Sequence, residues 1–255
     1  MQKPYIDRVK EIVKIDRLYR LTEDDIWTMI EKTKPVIFDG HFELLSGRHS
    51  DKFFRFSSIC QLPYFISKIS DEMIPWIESD SKLERIDVVL GVSSQGMFFA
   101  FDLASKLKTR VAFAPINKDS GKPDRRLIGG FTIKPEDRVL IVNDMTTTGS
   151  GIATLEALAE VDHRAVVVGI CMFGNRGIVS PEVIAMKEKY QNRFRAIVDL
   201  NMPSWKDNCP ICAKVNSLPV IHSKQINHLP IYSQENEYQL YLNKLDMPVP
   251  KTVFH

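Results

Sequence analysis

The stretch Arg138-Val-Leu-Ile-Val-Asn-Asp-Met-Thr-Thr-Thr-Gly-Ser-Gly151 constrains this chain more than any other. Val139 to Val142 is an uninterrupted apolar run, which suits a strand buried on both faces. The run ends in Asn143 and Asp144, and a loop of threonine, glycine and serine follows. Beyond it Ile152, Leu155 and Leu158 recur at helical spacing. Strand, carboxylate, hydroxyl- and glycine-rich loop, then helix is a design for holding phosphate. Backbone N–H groups at a helix N-terminus attract anions, and glycine lets the backbone approach them closely. A carboxylate at the strand end can hold sugar hydroxyls or the shell of a magnesium ion. A Gly-Ser pair alone would be a helix-capping turn. Three threonines after a strand-terminal acid argue for a ligand instead.

The rest of the chain sets bounds. At 255 residues, with 44% hydrophobic and 26% charged residues, it can build a sizeable core. A net charge of +2 gives no field that points to nucleic acid or membrane. No apolar run approaches the ~20 residues that span a bilayer. The first residues lack the apolar centre of a signal peptide. Four cysteines do not make a disulfide framework in a chain this long, so a reducing cytoplasm is expected.

Residues 5–34 read as two helices, with Ile6, Val9, Ile12 and Val13 as one stripe, Thr22 as an N-cap and Pro35 as the stop. Phe38 to Phe56 reads as a hairpin turning at Gly47. Ile66 to Ile77 reads as a helix broken or kinked at Pro75. From residue 87 strands and helices alternate. Strands fall at 87–91, 111–114, 139–142, 165–171 and 195–200, with Met97, Phe101, Ala104 and Leu107 on one helical face. Alternation of this kind predicts a mainly parallel twisted sheet flanked by helices, with ligands at the carboxyl ends of the strands. The expected parts are N-terminal helices and hood over 1–65, a core over 66–200 and an irregular, proline-punctuated appendage over 201–255. The appendage carries one short helix at Glu235 to Leu245 and is a candidate protein-binding arm.

Several stretches resemble type I phosphoribosyltransferases, and the orotate branch in particular. The opening stretch is similar to that family's phosphoribosyl-diphosphate (PRPP) signature. Gly40-His-Phe-Glu-Leu-Leu-Ser-Gly-Arg-His-Ser-Asp51 resembles the hood, and Asp87-Val-Val-Leu-Gly-Val-Ser-Ser-Gln-Gly96 the short diphosphate loop. Phe113-Ala-Pro115 and Arg125-Arg-Leu-Ile-Gly-Gly-Phe131 bracket what resembles the flexible catalytic loop. Cys209-Pro-Ile-Cys212 is like the tail of some members. The resemblance runs in order from about residue 28 to 222 and implies a transfer from PRPP to a base, classically orotate, aided by magnesium.

The resemblance also implies roles. Asp144 and Asn143 would meet the ribose, and Thr147, Thr148, Gly149, Ser150 and Gly151 the 5′-phosphate. Ser93, Ser94, Gln95 and Gly96 would meet diphosphate. Lys118 and Asp119 match the catalytic pair of the mobile loop, with Lys122, Arg125 and Arg126 as rival cations. Arg48, Phe53, Phe54, Phe173 and Arg176 are candidates for the base end and hood. A small-molecule substrate, a homodimer and magnesium with PRPP follow from the same likeness.

The chain departs from that pattern at four places. Asn143 stands where the first acid is usual, and Phe173 where an arginine for the orotate carboxylate is expected. Pro115 and Ile116 replace a basic pair, and Gly151 replaces a hydroxyl residue. These departures motivate an alternative, a PRPP or nucleotide sensor, scaffold or effector subunit. Cys209 and Cys212 have metal-pair spacing, for which Cys60, Cys171 or His222 would have to supply the other ligands. The simpler reading is a tight turn of reduced thiols. Zinc is not expected, and no metal ligand is assigned. His41, His49 and His163 are read as non-catalytic.

Overall fold

The computed structural model describes residues 5–33, 37–117, 120–214, 220–223, 226 and 251–252. In chain order its elements begin with α1 (Tyr5–Lys10), β1 (Val13–Ile15), α2 (Glu23–Lys32), β2 (Ile37–Glu43), β3 (His49–Phe54), α3 (Ser57–Cys60) and α4 (Pro63–Glu78). They continue with β4 (Val88–Val92), α5 (Gly96–Leu107), β5 (Arg110–Ala114), β6 (Arg138–Thr146) and α6 (Ser150–Ala157). The last are β7 (Val166–Asn175), α7 (Pro181–Tyr190), β8 (Phe194–Leu200), β9 (Ile221–His222) and β10 (Lys251–Thr252). The expected short helix at Glu235 to Leu245 and the stop at Pro35 lie outside the described residues. No described helix is long and apolar enough to cross a membrane.

The chain divides into two compact units. One comprises 14–25 and 63–200. It is built on a six-stranded sheet ordered β1-β8-β7-β6-β4-β5, in which β5, β4, β6, β7 and β8 pair in parallel. The apolar runs explain the layering. Val88, Val89 and Leu90 of β4 and Val139 to Val142 of β6 are fully buried, as strands covered on both faces must be. Helices pack onto the sheet through Phe99, Ala100, Leu103 and Ala104 of α5, Ile152 and Leu155 of α6, and Val183 and Met186 of α7.

The other unit comprises 1–13, 26–62 and 201–255. Its centre is the antiparallel hairpin of β2 and β3, flanked by β9 and β10 on β2. Phe38 and Phe42 are fully buried, and α2 adds Ile26, Met29 and Ile30. Residues 203–205 run beside the start of β3. His49 and Trp205 exchange backbone hydrogen bonds of 2.7 and 2.8 Å, and Ser50 Oγ donates to Pro203 O at 2.8 Å.

Several local expectations are corrected. The first helix ends at Lys10, and Val13 belongs to a strand. Helix α4 continues through Pro75, because buried Ile66, Ile69, Met73, Trp76 and Ile77 hold it against the loss of one backbone bond. The buried face of α5 is that of Phe99 and Leu103, while Phe101 is 63% exposed. Helix α7 has no counterpart in the sequence reading. At Thr22 the expected cap is present as a reciprocal pair: Asp25 N donates to Thr22 Oγ1 (3.1 Å) and Thr22 N to Asp25 Oδ2 (2.8 Å).

Candidate active site

The sheet order places the site. Strand β5 lies on one side of β4 and β6 on the other, so the winding direction reverses between β4 and β6. Loops leaving the carboxyl ends of such a strand pair diverge and leave a crevice. The two loops here are Ser93 to Gln95, leading into α5, and Thr147 to Gly149, leading into α6. These are the segments that the sequence marked for diphosphate and 5′-phosphate.

The loops are drawn together at Gly96. A Cβ on Gly96 would lie 2.9 Å from the backbone N of Asp144 and 3.0 Å from Asn143 Oδ1. Only a glycine tolerates that approach. Strand β6 runs on to Thr146, four residues past the apolar run, so Asn143 and Asp144 are strand residues held by pairing with β7. The Asn143 Nδ2 donates to Met145 O at 2.8 Å.

Asp144 is half-buried at the carboxyl end of the strand. That desolvation pushes its pKa up to about 6, against the opposing hydrogen bonds from the N–H of Met145 and its own N–H. No cation pairs with it among the described residues.

The loop from Thr147 to Gly149 is a tight turn. Gly149 has φ +83, its N–H donates to Thr146 Oγ1 (3.2 Å), and the Thr148 and Ser150 hydroxyls lie 3.0 Å apart. Ser180, ahead of α7, supports it. Its Oγ lies 2.9 Å from Thr148 O and 2.7 Å from the Glu182 carboxylate, and its single proton serves one of them at a time. Asn175 is fully buried, accepting from Gly177 N (3.0 Å) and donating to Asp199 (2.7 Å). Ser180 has no place in the sequence reading, and Thr146 and Asn175 have no role of their own there. The Ser180-Pro181 pair, a cap followed by proline at the first helical position, was the available signal for Ser180 and for α7.

Ser93, Ser94 and Gln95 are half-buried, and α5 begins after Gln95 with no side-chain cap. After β5 the chain folds back on itself: Asn117 N donates to Lys122 O (2.8 Å) and Asp124 N to Pro115 O (2.8 Å). Pro123 lies 3.4 Å from the Cβ position of Gly151, which brings the exposed Lys122 segment against the start of α6. Lys118 and Asp119 lie outside the described residues. Arg125 pairs with Asp162 and Arg126 with Asp124, so two of the rival cations are engaged elsewhere.

Phe173 is fully buried in β7, between the Met172–Asn143 and Gly174–Met145 rungs and thus beside Asp144 on the neighbouring strand. Arg176 is buried just past the strand, and its N–H donates to Thr146 O at 2.8 Å. In the other unit, Arg48 gives its Nε to Ser204 Oγ (2.9 Å) and an Nη to Ser204 O (2.6 Å). Phe53 packs against Phe38 and Phe42, and Phe54 is buried with it. The cysteine pair does not meet Cys60, Cys171 or His222. Instead Cys209 and Cys212 face His41 and His49, two residues the sequence gave no role.

Comparison with known proteins agrees with this arrangement. The profile of the phosphoribosyl transferase domain matches residues 65–198, more than half of the chain. An orotate phosphoribosyltransferase of Caldanaerobacter subterraneus subsp. tengcongensis is 30% identical over 194 residues, covering 75% of this chain and 93% of that protein. One from Carboxydothermus hydrogenoformans is 28% identical over 189 residues, covering 74% and 91%. Among solved structures, UMP synthase of Leishmania donovani gives a TM-score of 0.52 at 15% identity, over 85% of this chain and 41% of that one. Adenine phosphoribosyltransferase of Leishmania tarentolae gives 0.51 at 17% identity, over 72% and 94%. The two structures share the fold, the sequence relatives share most of the length, and the chain belongs to the phosphoribosyl transferase domain family, as a type I member.

Proposed function

We propose that the protein transfers 5-phosphoribose from PRPP to a ring nitrogen of a base and releases diphosphate. The observation that carries this is the crevice between β4 and β6, where Gly96 pins one loop against Asn143 and Asp144 and the threonine loop follows. In this reading the N–H groups and hydroxyls of Thr147 to Gly151 hold the 5′-phosphate at the start of α6. Asp144 accepts from the ribose hydroxyls, and Ser93 to Gly96 cradle the diphosphate. Lys118 and Asp119, with Lys122 nearby, belong to the segment that covers the leaving group.

The bond from the ribose anomeric carbon to the diphosphate oxygen breaks as the bond to the base nitrogen forms. Positive charge builds on the ribose and negative charge on the diphosphate. The protein contributes positioning, donors aimed at the departing oxygens, and exclusion of water. Asp144 suits both the hydroxyls and a hard divalent cation, being a carboxylate that pairs with no cation among the described residues. Asp144 would hold magnesium, and the chemistry that ion would supply is neutralisation of charge on the leaving diphosphate.

At the base end Phe173 is fully buried in β7 and backs the strand beside Asp144, with Arg176 one step beyond the strand. Arg48, Phe53 and Phe54 are the hood candidates. The acceptor is orotate or another base. The same reading expects a homodimer, and its cytoplasmic setting rests on a cysteine content too low for a disulfide framework. We prefer it to a sensor or scaffold role because Asp144 and the glycine-pinned loops are retained.

The test is diphosphate release from PRPP and magnesium with a panel of bases that includes orotate, uracil and adenine. Release with one of them is expected. Absence of release with every base, at micromolar enzyme, ends the proposal.

A further inference from the structure

We propose that His41, His49, Cys209 and Cys212 form a structural zinc site that fastens the C-terminal segment to the β2–β3 hairpin. One ligand atom from each residue lies within 4.8 Å of every other. His41 Nε2 and His49 Nδ1 are 2.9 Å apart, Cys212 Sγ is 3.3 Å from His49 Nδ1 and 3.5 Å from His41 Nε2, and Cys209 Sγ is 3.6 Å from His41 Nε2. Zinc binds nitrogen at about 2.0 Å and sulfur at about 2.3 Å in a tetrahedron, which sets N–N edges at about 3.3 Å, S–N edges at about 3.5 Å and S–S edges at about 3.8 Å. The three sulfur–nitrogen separations fall within about 0.2 Å of that spacing, and the N–N separation is about 0.4 Å shorter.

Hydrogen bonding alone accounts poorly for the cluster. An imidazole nitrogen carries either one proton or one lone pair. His41 Nε2 meets three polar neighbours, so at most one of those contacts can be a hydrogen bond of full strength. A cation at the centre satisfies all four atoms together. Two thiolates and two neutral imidazoles also balance the charge of a divalent ion, and the set of two sulfurs and two nitrogens is the one that selects zinc among hard and soft metals.

The local structure is prepared for it. Asn208 takes φ +54, and the turn that follows closes with Ala213 N donating to Cys209 O at 3.2 Å, which presents both sulfurs to the same side. His41 is 1% exposed and Cys209 8%, while Cys212 is exposed, so the site has a closed floor and an open edge. Four protein ligands with no vacant position describe a structural centre and not a catalytic one.

The chain it would join is distant in sequence, since Cys209 and His41 are 168 residues apart. Closing so long a loop favours the folded state. The fastened segment carries Ser204 and Trp205, which hold Arg48 and the first residue of β3. Zinc would therefore fix the hairpin that bears Arg48, Phe53 and Phe54. This inference does not depend on the transfer reaction.

The test uses the full chain, produced without a histidine tag in zinc-supplemented medium and analysed for metals. One zinc per chain is expected. Removal by chelator and addition of cobalt should give the visible bands of a tetrahedral site and a thiolate-to-cobalt charge-transfer band. The Cys212→Ser variant changes an exposed side chain and should fold. It is expected to lose at least nine-tenths of the zinc and to unfold at least ~5 °C lower, a shift that zinc no longer reverses. Cys60→Ser, a cysteine outside the cluster, should keep its zinc. The proposal is overturned by wild-type protein that holds no metal and gives no cobalt–thiolate spectrum. Full zinc content in Cys212→Ser, or a Cys209–Cys212 disulfide in the protein as isolated under reducing conditions, overturns it equally.

Discussion

The unit built on the six-stranded sheet holds the carboxylates of Glu72 and Asp144 and treats them oppositely. Glu72 is fully buried with every lone pair addressed. Its Oε1 accepts from Tyr19 N (2.8 Å) and Arg195 (2.8 Å), and its Oε2 from Arg20 N (2.7 Å) and Leu21 N (2.9 Å). Asp144 has two backbone N–H groups and no cation among the described residues, and its pKa rises to about 6. Burial alone therefore does not mark a working acid. An enclosed carboxylate whose acceptors are filled by its own chain is architecture, binding residues 19–21 to α4 and β8. One left under-supplied at a strand end is where a ligand's hydroxyls or a cation would complete the shell.

The strongest way to break the comparison is at Glu72. Glu72→Leu leaves the Arg195 charge buried, with a side chain only 6% exposed, and orphans three N–H groups. A cost of about 3–5 kcal/mol is expected, read from urea denaturation. Glu72→Gln keeps two lone pairs and should lose less. A loss below ~1 kcal/mol for the leucine variant would show that Glu72 is not the strut described.

Asp144→Asn should do the reverse. A carboxyl whose pKa is raised from 3.8 to about 6 in the fold disfavours folding once it ionises. The unfolded chain gives up its proton first, so the penalty grows as pH rises from about 4 to about 6 and is constant above. Removing the charge should stabilise the protein by roughly 2–3 kcal/mol at pH 8 and by nothing below pH 4. Turnover should fall at least ~100-fold in the same variant. Stability gained where activity is lost is the mark of a functional site.

Between these lies a pH effect on the substrate. Binding of magnesium–PRPP needs ionised Asp144, so affinity should rise with pH up to about 6 and level off, by at most about tenfold per unit. Titration calorimetry from pH 5 to 8 reads this. PRPP phosphates titrate in the same range, so the difference between wild type and Asp144→Asn is the quantity that decides. Identical slopes in the two proteins would remove Asp144 from the binding step.

Much of this sheet was legible in the sequence because its strands are written as short apolar runs, Val88 to Leu90 and Val139 to Val142 among them. The crevice followed from their alternation with helices. What was not legible depends on contacts that local pattern does not encode. Strand β6 extends through Asn143, Asp144, Met145 and Thr146 because β7 pairs with it there, so tertiary pairing overrides the loop-like composition. Helix α7 has a weak apolar stripe, with Val183, Met186 and Tyr190 as its buried residues. The partners of Cys209 and Cys212 are two histidines of a hairpin more than 160 residues earlier, which no local spacing rule reaches.

Asn143 shows the smallest effect and the sharpest reversal. From the sequence it reads as an acid lost from the signature, and Asn143→Asp tests whether that loss weakens the enzyme. The structure gives the amide its own task, donating from Nδ2 to Met145 O at 2.8 Å, beside the Gly96 backbone that brings the loops together. A carboxylate cannot donate there. It would set a negative charge against that carbonyl and beside Asp144, raising the Asp144 pKa further. Asn143→Asp should therefore cost about 1 kcal/mol of stability at pH 8 and leave kcat/KM within about threefold of wild type or below it. Both are read from denaturation and steady-state diphosphate release on the same preparation. A gain of tenfold or more in kcat/KM would mean that the amide's hydrogen bond is incidental, and that the ligand is held better by two adjacent carboxylates than by Asp144 alone.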